Sequence, residues 1–313
     1  MDEFQRLADQ LRASPNHQVI SRVARTTTFN PDDGSPKRIG LLVDVETTGL
    51  DTANDKIIEL GCILFEYGLN GIIYRILEEY NGLEDPGQPL DPLIVELTGI
   101  VDTDLNNQKL DDTEVNQLIA RSDFVIAHNS SFDRPMLERR FPQFVDKPWG
   151  CSLQSVNWQD EGISSGKLDY ILFKLGKFHE GHRAVEDCHA TLFILGAELA
   201  ENHSTAMAQV LQKARDPDCR VFAHGAEYDV KDELKARGYK WSDGANGRAK
   251  SWYLDVSEGE LVEEARFLLD GRVIGPTVPM LKLNPVDLYT DRSMSLPPED
   301  SWYSIPAPSM DEE

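Results

Sequence analysis

Apolar and polar residues alternate in two different rhythms along the chain. Between residues 39 and 81, three stretches rich in branched apolar side chains are separated by turn residues, which predicts three β-strands. Gly68, Asn70 and Gly71 mark a hairpin turn between the second and the third stretch. Beyond residue 90, helical spacing alternates with short apolar runs, and this order favours a mixed sheet with helices packed on it.

Capping residues and glycines set the predicted helix boundaries. Phe4, Leu7 and Leu11 predict a short helix within residues 1–16, followed by an irregular connector. Further helices are predicted over residues 91–99, 111–122, 130–141, 167–176 and 186–202, with Ser130 or Ser131 as the cap of the third, and short strands over residues 123–129 and 151–155. The expected segments are a helix and linker (1–38), a main domain (39–202), a small α+β module (203–292) and a proline- and acid-rich tail (293–313).

Length and composition limit the class of protein. With 313 residues, 40% of them apolar and 27% charged, the chain can form one sizeable core and a smaller domain. No stretch approaches the roughly 18 apolar residues of a membrane span. The N-terminus lacks the apolar segment of a signal peptide, so we expect a cytoplasmic protein with no membrane partner. The widely separated cysteines predict reduced thiols rather than a zinc site or a disulfide framework.

The net charge of −23 argues against a sequence-independent, high-affinity nucleic-acid binder. Its distribution along the chain is uneven. Acids crowd residues 78–114, whereas eight of the twelve bases of residues 39–200 fall between Arg134 and Arg183. The main domain therefore has an acidic part and a mildly basic part. Carboxylates that hold divalent cations would account for some of the negative charge.

The strongest chemical signal is the stretch LLVDVETTGLD at residues 41–51. Side chains two apart on a strand project from the same face, so Asp44 and Glu46 lie side by side at the end of an apolar strand. Two such carboxylates repel each other and resist desolvation, and Mg²⁺ or Mn²⁺ between them would relieve both effects. The alternative is that one of them caps the following turn and the other is solvated.

Three further polar residues occupy strand ends or helix starts, where an open α/β sheet gathers its site. Asp133 opens the helix after the strand at 123–129, Asp187 opens the last long helix of the main domain, and His182 precedes that helix. Taken singly, the two acids would be helix-dipole residues and the histidine an exposed loop residue. Taken together, they predict one shared site with Asp44 and Glu46.

In their order and spacing, these motifs resemble those of the DEDDh exonucleases, the DnaQ-like family that includes proofreading subunits of bacterial replicases. The motifs are Asp44-Val45-Glu46-Thr47-Thr48-Gly49, Asn129-Ser130-Ser131-Phe132-Asp133 and His182-Arg183-Ala184-Val185-Glu186-Asp187. The sequences IIELG and LTGI are typical companions of the first two. The resemblance covers about residues 39–200 and implies a ribonuclease-H-like α/β fold, a five-stranded mixed sheet flanked by helices.

The resemblance also implies hydrolysis with two divalent cations, Mg²⁺ or Mn²⁺. Asp44, Glu46 and Asp187 would hold the more buried ion, Asp44 would be shared by both, and Asp133 would act largely through water. His182 would be the general base, which suits a side chain with an ordinary pKa of about 6.5. Its loop would let it swing away, so we expect that loop to be mobile without substrate.

Groups beside the first motif would select a 3′ end, again by resemblance. Backbone groups of Thr47, Thr48 and Gly49 would receive the terminal 3′-hydroxyl, and Leu50 would wedge between the last two bases. Glycine suits such a close backbone approach. An ordinary turn glycine is equally compatible with the sequence.

Other candidate substrate contacts come from the second and third motifs and from one lysine. Phe132 would stack on the terminal sugar or base, or else belong to the core. Asn129 would contact the strand, or else cap the helix that follows it. Lys167 and Arg183 are further candidates for phosphate contacts.

The C-terminal module combines bases with aromatic residues. The bases are Lys231, Lys235, Arg237, Lys240, Arg248 and Lys250, and the aromatic residues are Tyr239, Trp241, Trp252 and Tyr253. Such interleaving can bind single strands by phosphate pairing and base stacking. The alternative, which we prefer at this point, is that Trp241 and Trp252 form the core of a small domain with few other large residues.

These observations predict a metal-dependent 3′→5′ exonuclease that releases nucleoside 5′-monophosphates. We expect single-stranded or frayed DNA as the substrate, proofreading or repair as the context, and a polymerase or repair complex as the partner. One alternative keeps the chemistry with RNA as the substrate, because nothing in the motifs reads the 2′-hydroxyl. Another alternative is a non-catalytic interaction module built on the same fold.

Overall fold

The computed structural model describes residues 3–201, 203–216, 218–273 and 275–304. The chain divides into two compact units, of which the first ends at Gln212 and the second begins at Lys213. The boundary predicted after residue 202 lies closer to the N-terminus than the observed one. The division of the chain into four segments stays a prediction. No helix in the described ranges combines the length and apolar character that crossing a bilayer requires.

A five-stranded mixed sheet forms the centre of the first unit. Its strands are β1 (Lys37–Thr47), β2 (Ile57–Gly68), β3 (Ile73–Leu83), β4 (Phe124–Ala127) and β5 (Trp149–Cys151). They lie in the order β3-β2-β1-β4-β5. The first three pair antiparallel, whereas β4 runs parallel to β1 and β5 runs parallel to β4. The predicted ribonuclease-H-like fold class is confirmed.

The first unit contains helices, several of which pack on this sheet. They are α1 (Glu3–Arg12), α2 (Pro92–Thr98), α3 (Asp102–Leu105), α4 (Asp112–Arg121), α5 (Ser130–Arg140), α6 (Leu168–Lys174), α7 (Ala184–Gly196) and α8 (Ala206–Arg215), the last of which crosses the unit boundary. Strand β2 is buried at almost every position, as its continuous rather than alternating apolar sequence predicts for a strand covered on both faces. Helix α7 packs on β1 and β2.

The register of β1 and β2 determines what α7 can reach. Asp44 lies opposite Gly61 and Glu46 lies opposite Glu59. A Cβ atom at Gly61 would come within 2.5 Å of the Ala184 carbonyl carbon at the start of α7. Because Gly61 has no Cβ, the first turn of α7 approaches β2 directly beside the two acids of β1.

The region after α7 differs from the prediction. The helix expected to continue to residue 202 ends at Gly196, where Ala197 becomes extended. Glu198–Leu199 then pairs antiparallel with Ser204–Thr205. Leu199 is buried, and it lies on this short ladder rather than on the predicted helix.

The start of α5 also differs from the prediction. Asn129, rather than Ser130 or Ser131, holds the N-cap position, and its side chain makes no capping hydrogen bond. The Ser130 hydroxyl instead donates to the Gly150 carbonyl at 2.6 Å, which ties the start of α5 to β5. Strand β5 ends at Cys151 because the chain turns after that residue. The strand predicted over residues 151–155 was expected to begin where the observed strand ends.

The N-terminal linker is attached to the main domain over part of its length. Ser21–Arg22 pairs parallel with Lys177–Phe178, just before the segment that carries His182. The Arg22 guanidinium donates to Glu180 at 2.7 Å. Helix α1, by contrast, leaves its predicted apolar residues exposed.

The second unit contains a four-stranded antiparallel sheet. Its strands are β6 (Cys219–Ala223), β7 (Lys240–Asp243), β8 (Lys250–Val256) and β9 (Met280–Lys282), in the order β7-β8-β6-β9, and its helices are α9 (Lys231–Ala236) and α10 (Leu261–Leu269). The sequence patterns predict helices over residues 229–238 and 258–270 and a strand over residues 250–256, which correspond to α9, α10 and β8, and they miss the other three strands. They are short, and β7 and β9 alternate polar and apolar residues too few times to give a clear period.

The core of the second unit is not the one predicted. Val221, Leu234, Tyr239 and Leu268 are buried at its centre, and Trp252 packs on it only in part. Trp241 is 49% exposed, so the prediction that it forms core is wrong. Its strand β7 lies at the edge of the sheet, where one side of a large ring remains in solvent.

Part of the predicted tail belongs to this unit. Tyr303 pairs with Val278 through two backbone hydrogen bonds of 2.8 and 2.9 Å. The Trp302 indole donates to the Pro297 carbonyl at 3.0 Å. Residues 305–313 lie outside the described ranges.

Candidate active site

Three of the predicted site residues meet at the junction of β1 and α7. Ligand atoms of Glu46, His182 and Asp187 all lie within 4.8 Å of one another. Glu46 comes from the end of β1 and Asp187 from the first turn of α7, which the close approach at Gly61 brings together. Side chains separated by more than 130 positions in sequence therefore form one cluster.

His182 is held in an uncommon backbone conformation. Its φ of 64° lies in the left-handed region, which costs a residue with a Cβ about 1–3 kcal/mol unless its surroundings compensate. Its backbone N–H donates to Oδ2 of Asp187 at 3.2 Å. The imidazole is exposed, so the loop presents the ring at the solvent side of the acidic cluster.

Asp133 reaches the same region from α5. Its side chain is buried, and its Oδ1 accepts a hydrogen bond from the Val45 backbone N–H at 3.2 Å, between the two acids of β1. Burial raises the pKa of Asp133 to about 7, although the Val45 N–H acts in the opposite direction. Asp133 is thus fixed beside β1, although it is not one of the three residues within 4.8 Å of one another.

The two acids of β1 also resist ionisation, with burial as the main cause. Burial, followed by the negative charge of Asp187, raises the pKa of Glu46 to about 8. Burial and the charges of Asp133 and Asp187 raise the pKa of Asp44 well above its usual value. The chain supplies these acids with little positive charge. Across the described ranges, the ion pair that they form is the one between Asp187 and His179.

This donor set fits divalent cations. Four carboxylates in one partly dry pocket are hard oxygen ligands, the type that Mg²⁺ and Mn²⁺ prefer. The raised pKa values of Asp44, Glu46 and Asp133 express desolvation and mutual repulsion, and a bound cation would oppose both.

His179 is a site residue that the sequence reasoning missed. Its Nε2 lies 2.6 Å from Oδ1 of Asp187, and its Nδ1 lies 3.2 Å from Oδ1 of Asp169. Burial opposes protonation of this ring, but the hydrogen bond and the charge of Asp187 outweigh it and raise the pKa of His179. The sequence feature that could have identified His179 is a second histidine three residues before His182, in HEGHR.

Glu59, noted in the sequence only as part of IIELG, organises the other side of the cluster. Its fully buried carboxylate accepts hydrogen bonds from Arg183 at 2.9 Å, from Asn81 at 3.0 Å and from the Ala184 backbone N–H at 3.1 Å. Arg183, a candidate phosphate contact in the sequence, is therefore paired with Glu59. Lys167 is exposed at the start of α6.

The loop after β1 is organised by Asp55. The Thr48 hydroxyl donates to Asp55 at 2.8 Å, and the Thr47 hydroxyl donates to the Gly49 carbonyl at 2.6 Å. A Cβ at Gly49 would come within 2.5 Å of the Asp55 carboxylate, so the glycine has a packing reason as well as the predicted one. Leu50 is 86% exposed at the tip of this loop.

The two candidates from the second motif lie at the start of α5. Asn129 is exposed, and Phe132 is neither fully buried nor fully exposed. Phe132 therefore keeps part of its ring accessible on the helix that carries Asp133. The contact of either residue with substrate stays a prediction.

Comparison with known proteins finds a family that matches part of the chain. Residues 41–195 match the family model described as exonuclease, RNase_T. The chain is 28% identical over 165 residues to DNA polymerase III PolC-type of Lacticaseibacillus paracasei, and 30% identical over 162 residues to that of Halalkalibacterium halodurans. Each match covers 50% of this chain and 11% of the relative, so the chain spans about a ninth of the length of these relatives.

A solved structure of exonuclease I shares the fold, with a TM-score of 0.50 and 15% sequence identity. The match covers 80% of this chain and 63% of that one. The predicted recognition of the family is confirmed. Through residues 41–195 the chain belongs to the DnaQ-like exonucleases, hydrolytic nucleases of the DEDD type within the ribonuclease-H-like superfamily.

Proposed function

We propose that the chain is a divalent-cation-dependent 3′→5′ exonuclease that shortens DNA strands and releases nucleoside 5′-monophosphates. The observation that carries this proposal is the convergence of Glu46, His182 and Asp187 within 4.8 Å, with Asp44 and Asp133 alongside. Scattered acids could stabilise helix termini individually, whereas acids gathered this closely repel one another, and a bound cation would remove that repulsion.

The four acids would hold the cations, with Asp44 and Glu46 from β1, Asp133 from α5 and Asp187 from α7. Two cations, when bound, would supply positive charge for both the attacking and the leaving oxygen of an in-line displacement. The chain itself fixes the acids beforehand: the Val45 N–H holds Asp133, and His179 and the His182 N–H each hold one oxygen of Asp187.

His182 would accept the proton of the attacking water at a ring nitrogen. A nitrogen of its exposed ring lies within 4.8 Å of carboxylate oxygens of Glu46 and Asp187. The water oxygen forms a bond to the terminal phosphorus, and the bond to the 3′-oxygen of the preceding nucleotide breaks. The products are a nucleoside 5′-monophosphate and a strand with a new 3′-hydroxyl.

The loop after β1 would give the preference for a chain end. Asp55 holds Thr48 and Gly49 in place, and Leu50 projects from the tip with no apolar cover of its own. An exposed leucine beside a nuclease site suits insertion between the last two bases. Phe132 and Asn129 at the start of α5 would contact the terminal nucleotide.

DNA is preferred over RNA in this proposal because the matched relatives are DNA polymerases by name. A proofreading or repair role, with a polymerase or repair complex as partner, follows on the same ground. RNA remains the second candidate, since the described site holds no feature dedicated to the 2′-hydroxyl.

The test is product analysis with purified full-length chain. Strands of matched DNA and RNA, labelled at either end, are incubated with Mg²⁺, with Mn²⁺ or with a chelator, and mononucleotides are quantified by chromatography. We expect mononucleotides from the 3′ end of DNA with cation and none with chelator. If mononucleotides are released from RNA alone, the substrate is RNA instead of DNA. If neither strand releases mononucleotides, and Asp187→Asn behaves like the natural chain, the non-catalytic alternative is supported.

A further inference from the structure

Five of the eight bases between residues 134 and 183 are engaged with acids or backbone carbonyl groups of the first unit. Their contacts are Glu138 for Arg134, the Thr52 and Asp55 carbonyls for Arg139, Glu84 and Asp112 for Arg140, the Ser122 carbonyl for Lys147, and Glu59 for Arg183. The other three, Lys167, Lys174 and Lys177, form no ion pair with an acid in the described ranges.

The second unit carries lysines that no acid of the described chain engages. In its described part, ion pairs to acids are made by Arg220, Arg237, Arg248, Arg272, Arg292, Lys213 and Lys282. Within the same part, Lys231, Lys235, Lys240 and Lys250 form no ion pair, although the chain carries a net charge of −23. Lysines that stay unpaired in such an acidic protein are available to an anionic ligand.

Two of these lysines are interleaved with aromatic rings. Lys231 and Lys235 lie one helical turn apart on α9 and share a face. The Lys231 ammonium lies 3.5 Å from the ring centroid of Tyr228, which is 76% exposed. The Lys235 ammonium lies 5.8 Å from the ring centroid of Trp252.

The aromatic series continues onto the edge of the sheet. Trp252 of β8 pairs across the ladder with Trp241 of β7, and their ring centroids are 5.4 Å apart. Trp241 is 49% exposed to solvent, whereas large aromatic side chains are usually mostly buried. Exposed indole and phenol rings beside unpaired ammonium groups offer flat apolar surfaces and positive charge together.

We propose that Tyr228, Lys231, Lys235, Trp241 and Trp252, named here the lysine–aromatic surface, bind single-stranded nucleic acid. Bases stack on the rings of Tyr228 and Trp241, and the lysines contact the phosphates between them. A duplex keeps its bases stacked on each other and offers the rings nothing comparable, so the surface selects single strands. Asp232 beside Lys231 adds a repulsive charge and limits the affinity.

This binding is separate from catalysis and is measurable without it. Fluorescence anisotropy of a labelled oligothymidine strand is recorded with the full chain in chelator, with a duplex of equal length as the comparison. The variants are Trp241→Leu, which keeps apolar area without a π-face, Trp241→Phe, which keeps a ring, and Lys231→Gln/Lys235→Gln. Lys282→Gln is the matched control, because Lys282 is exposed in the same unit but lies on β9 at the opposite sheet edge.

We expect Trp241→Leu to weaken strand binding about five- to 150-fold, the range for loss of one stacking ring. Trp241→Phe should recover most of the affinity, and the double lysine variant should reduce the salt dependence of log K by about 1.4, or about 0.7 for each phosphate that no longer meets a lysine. Lys282→Gln should have no effect, and thermal unfolding should verify that every variant folds.

Equal binding by Trp241→Leu and the natural chain would overturn the proposal, as would equal losses in Trp241→Leu and Trp241→Phe. An unchanged salt dependence in the double lysine variant would also contradict it. If the variants alter only the oligomeric state, the surface is a contact between copies of the chain and the proposal fails. Because cleavage is not measured, none of these outcomes depends on the proposed nuclease function.

Discussion

Glu46 and Glu59 face each other across the β1–β2 ladder, and both side chains are almost completely buried. Glu59 receives a guanidinium, an amide and a backbone N–H from the chain itself. Glu46 receives no ion pair across the described ranges and lies beside three other acids, with its pKa raised to about 8. The protein therefore balances the negative charge of Glu59 with a guanidinium and hydrogen-bond donors, whereas Glu46 has no ion-pair partner in the described ranges.

The contrast separates a structural acid from an acid placed for a ligand. Burying an unpaired charge is costly, so an uncompensated cluster persists only where binding or chemistry requires it. The Glu59 carboxylate accepts a hydrogen bond from the Ala184 backbone N–H, which fixes the start of α7 and thereby positions Asp187 and His182. The structural acid thus positions the cluster that the ligand completes.

Removing a carboxylate of the cluster should have the largest effect. Asp187→Asn or Asp44→Ala should lower mononucleotide release by at least about 10²–10³, the order for losing one preorganised charged group. Folding should be unchanged or improved in the absence of cation, because one repelling charge is gone. Asp146→Asn, an exposed acid in the first unit, is the control, and equal activity of Asp187→Asn and Asp146→Asn would contradict the site assignment.

His182→Ala should lower the rate of the chemical step by about 10² to 10⁴ if the ring accepts the proton. The measurement is single-turnover cleavage with saturating cation, compared with His17→Ala, an exposed histidine near the N-terminus. An unchanged single-turnover rate would remove His182 from the mechanism.

Breaking the compensated pair should reduce stability more than activity. Arg183→Gln should lower the free energy of unfolding by about 2–3 kcal/mol, below the 3–5 kcal/mol of a fully buried pair because Arg183 is half exposed. Adding Glu59→Gln should recover most of that loss, since no unpaired charge then remains. Additive losses in urea unfolding of the double variant would show that Glu59 does not need its arginine.

His179→Ala should have the smallest effect of the four. The ring orients Asp187 through a 2.6 Å contact, and removing such a supporting group typically weakens metal binding about 10- to 100-fold. The measurement is the Mn²⁺ concentration needed for half-maximal cleavage. If that concentration is unchanged while the single-turnover rate falls, His179 acts on the chemistry instead of orienting a ligand.

The sequence predicts the fold and the composition of the cluster because both depend on local signals. Asp44 and Glu46 interrupt an apolar strand, and Asp133 and Asp187 open helices, which marks them as candidates; the resemblance of the three motifs to the DEDDh family is what joins them into one predicted site. Glu59 carries the same kind of signal, one acid in an apolar run, but its partner Arg183 is 124 residues away and only the folded chain pairs them.

Other features depend on geometry that no local pattern contains. The packing of Gly61 against Ala184 and the attachment of Ser21–Arg22 beside the His182 segment arise from tertiary contacts. Trp241 was predicted to be core because large aromatic residues usually are, and only its place on an edge strand leaves it exposed. Mobility of the His182 loop stays a prediction.

The central claim is that the carboxylate cluster lacks a counter-charge that divalent cations supply. Acids with raised pKa values hold more protons in the folded than in the unfolded chain. Their contribution to stability is therefore complete at low pH and is lost as pH rises from about 4.5 to about 8, at no more than about 1.4 kcal/mol per pH unit for each group.

The direct measurement is the free energy of unfolding of the full chain across this pH range, in chelator and in Mn²⁺. We predict that stability falls with rising pH in chelator, that Mn²⁺ opposes this fall by an amount that grows with pH, and that Glu46→Gln reduces both effects. Coincident curves with and without Mn²⁺ would contradict the account.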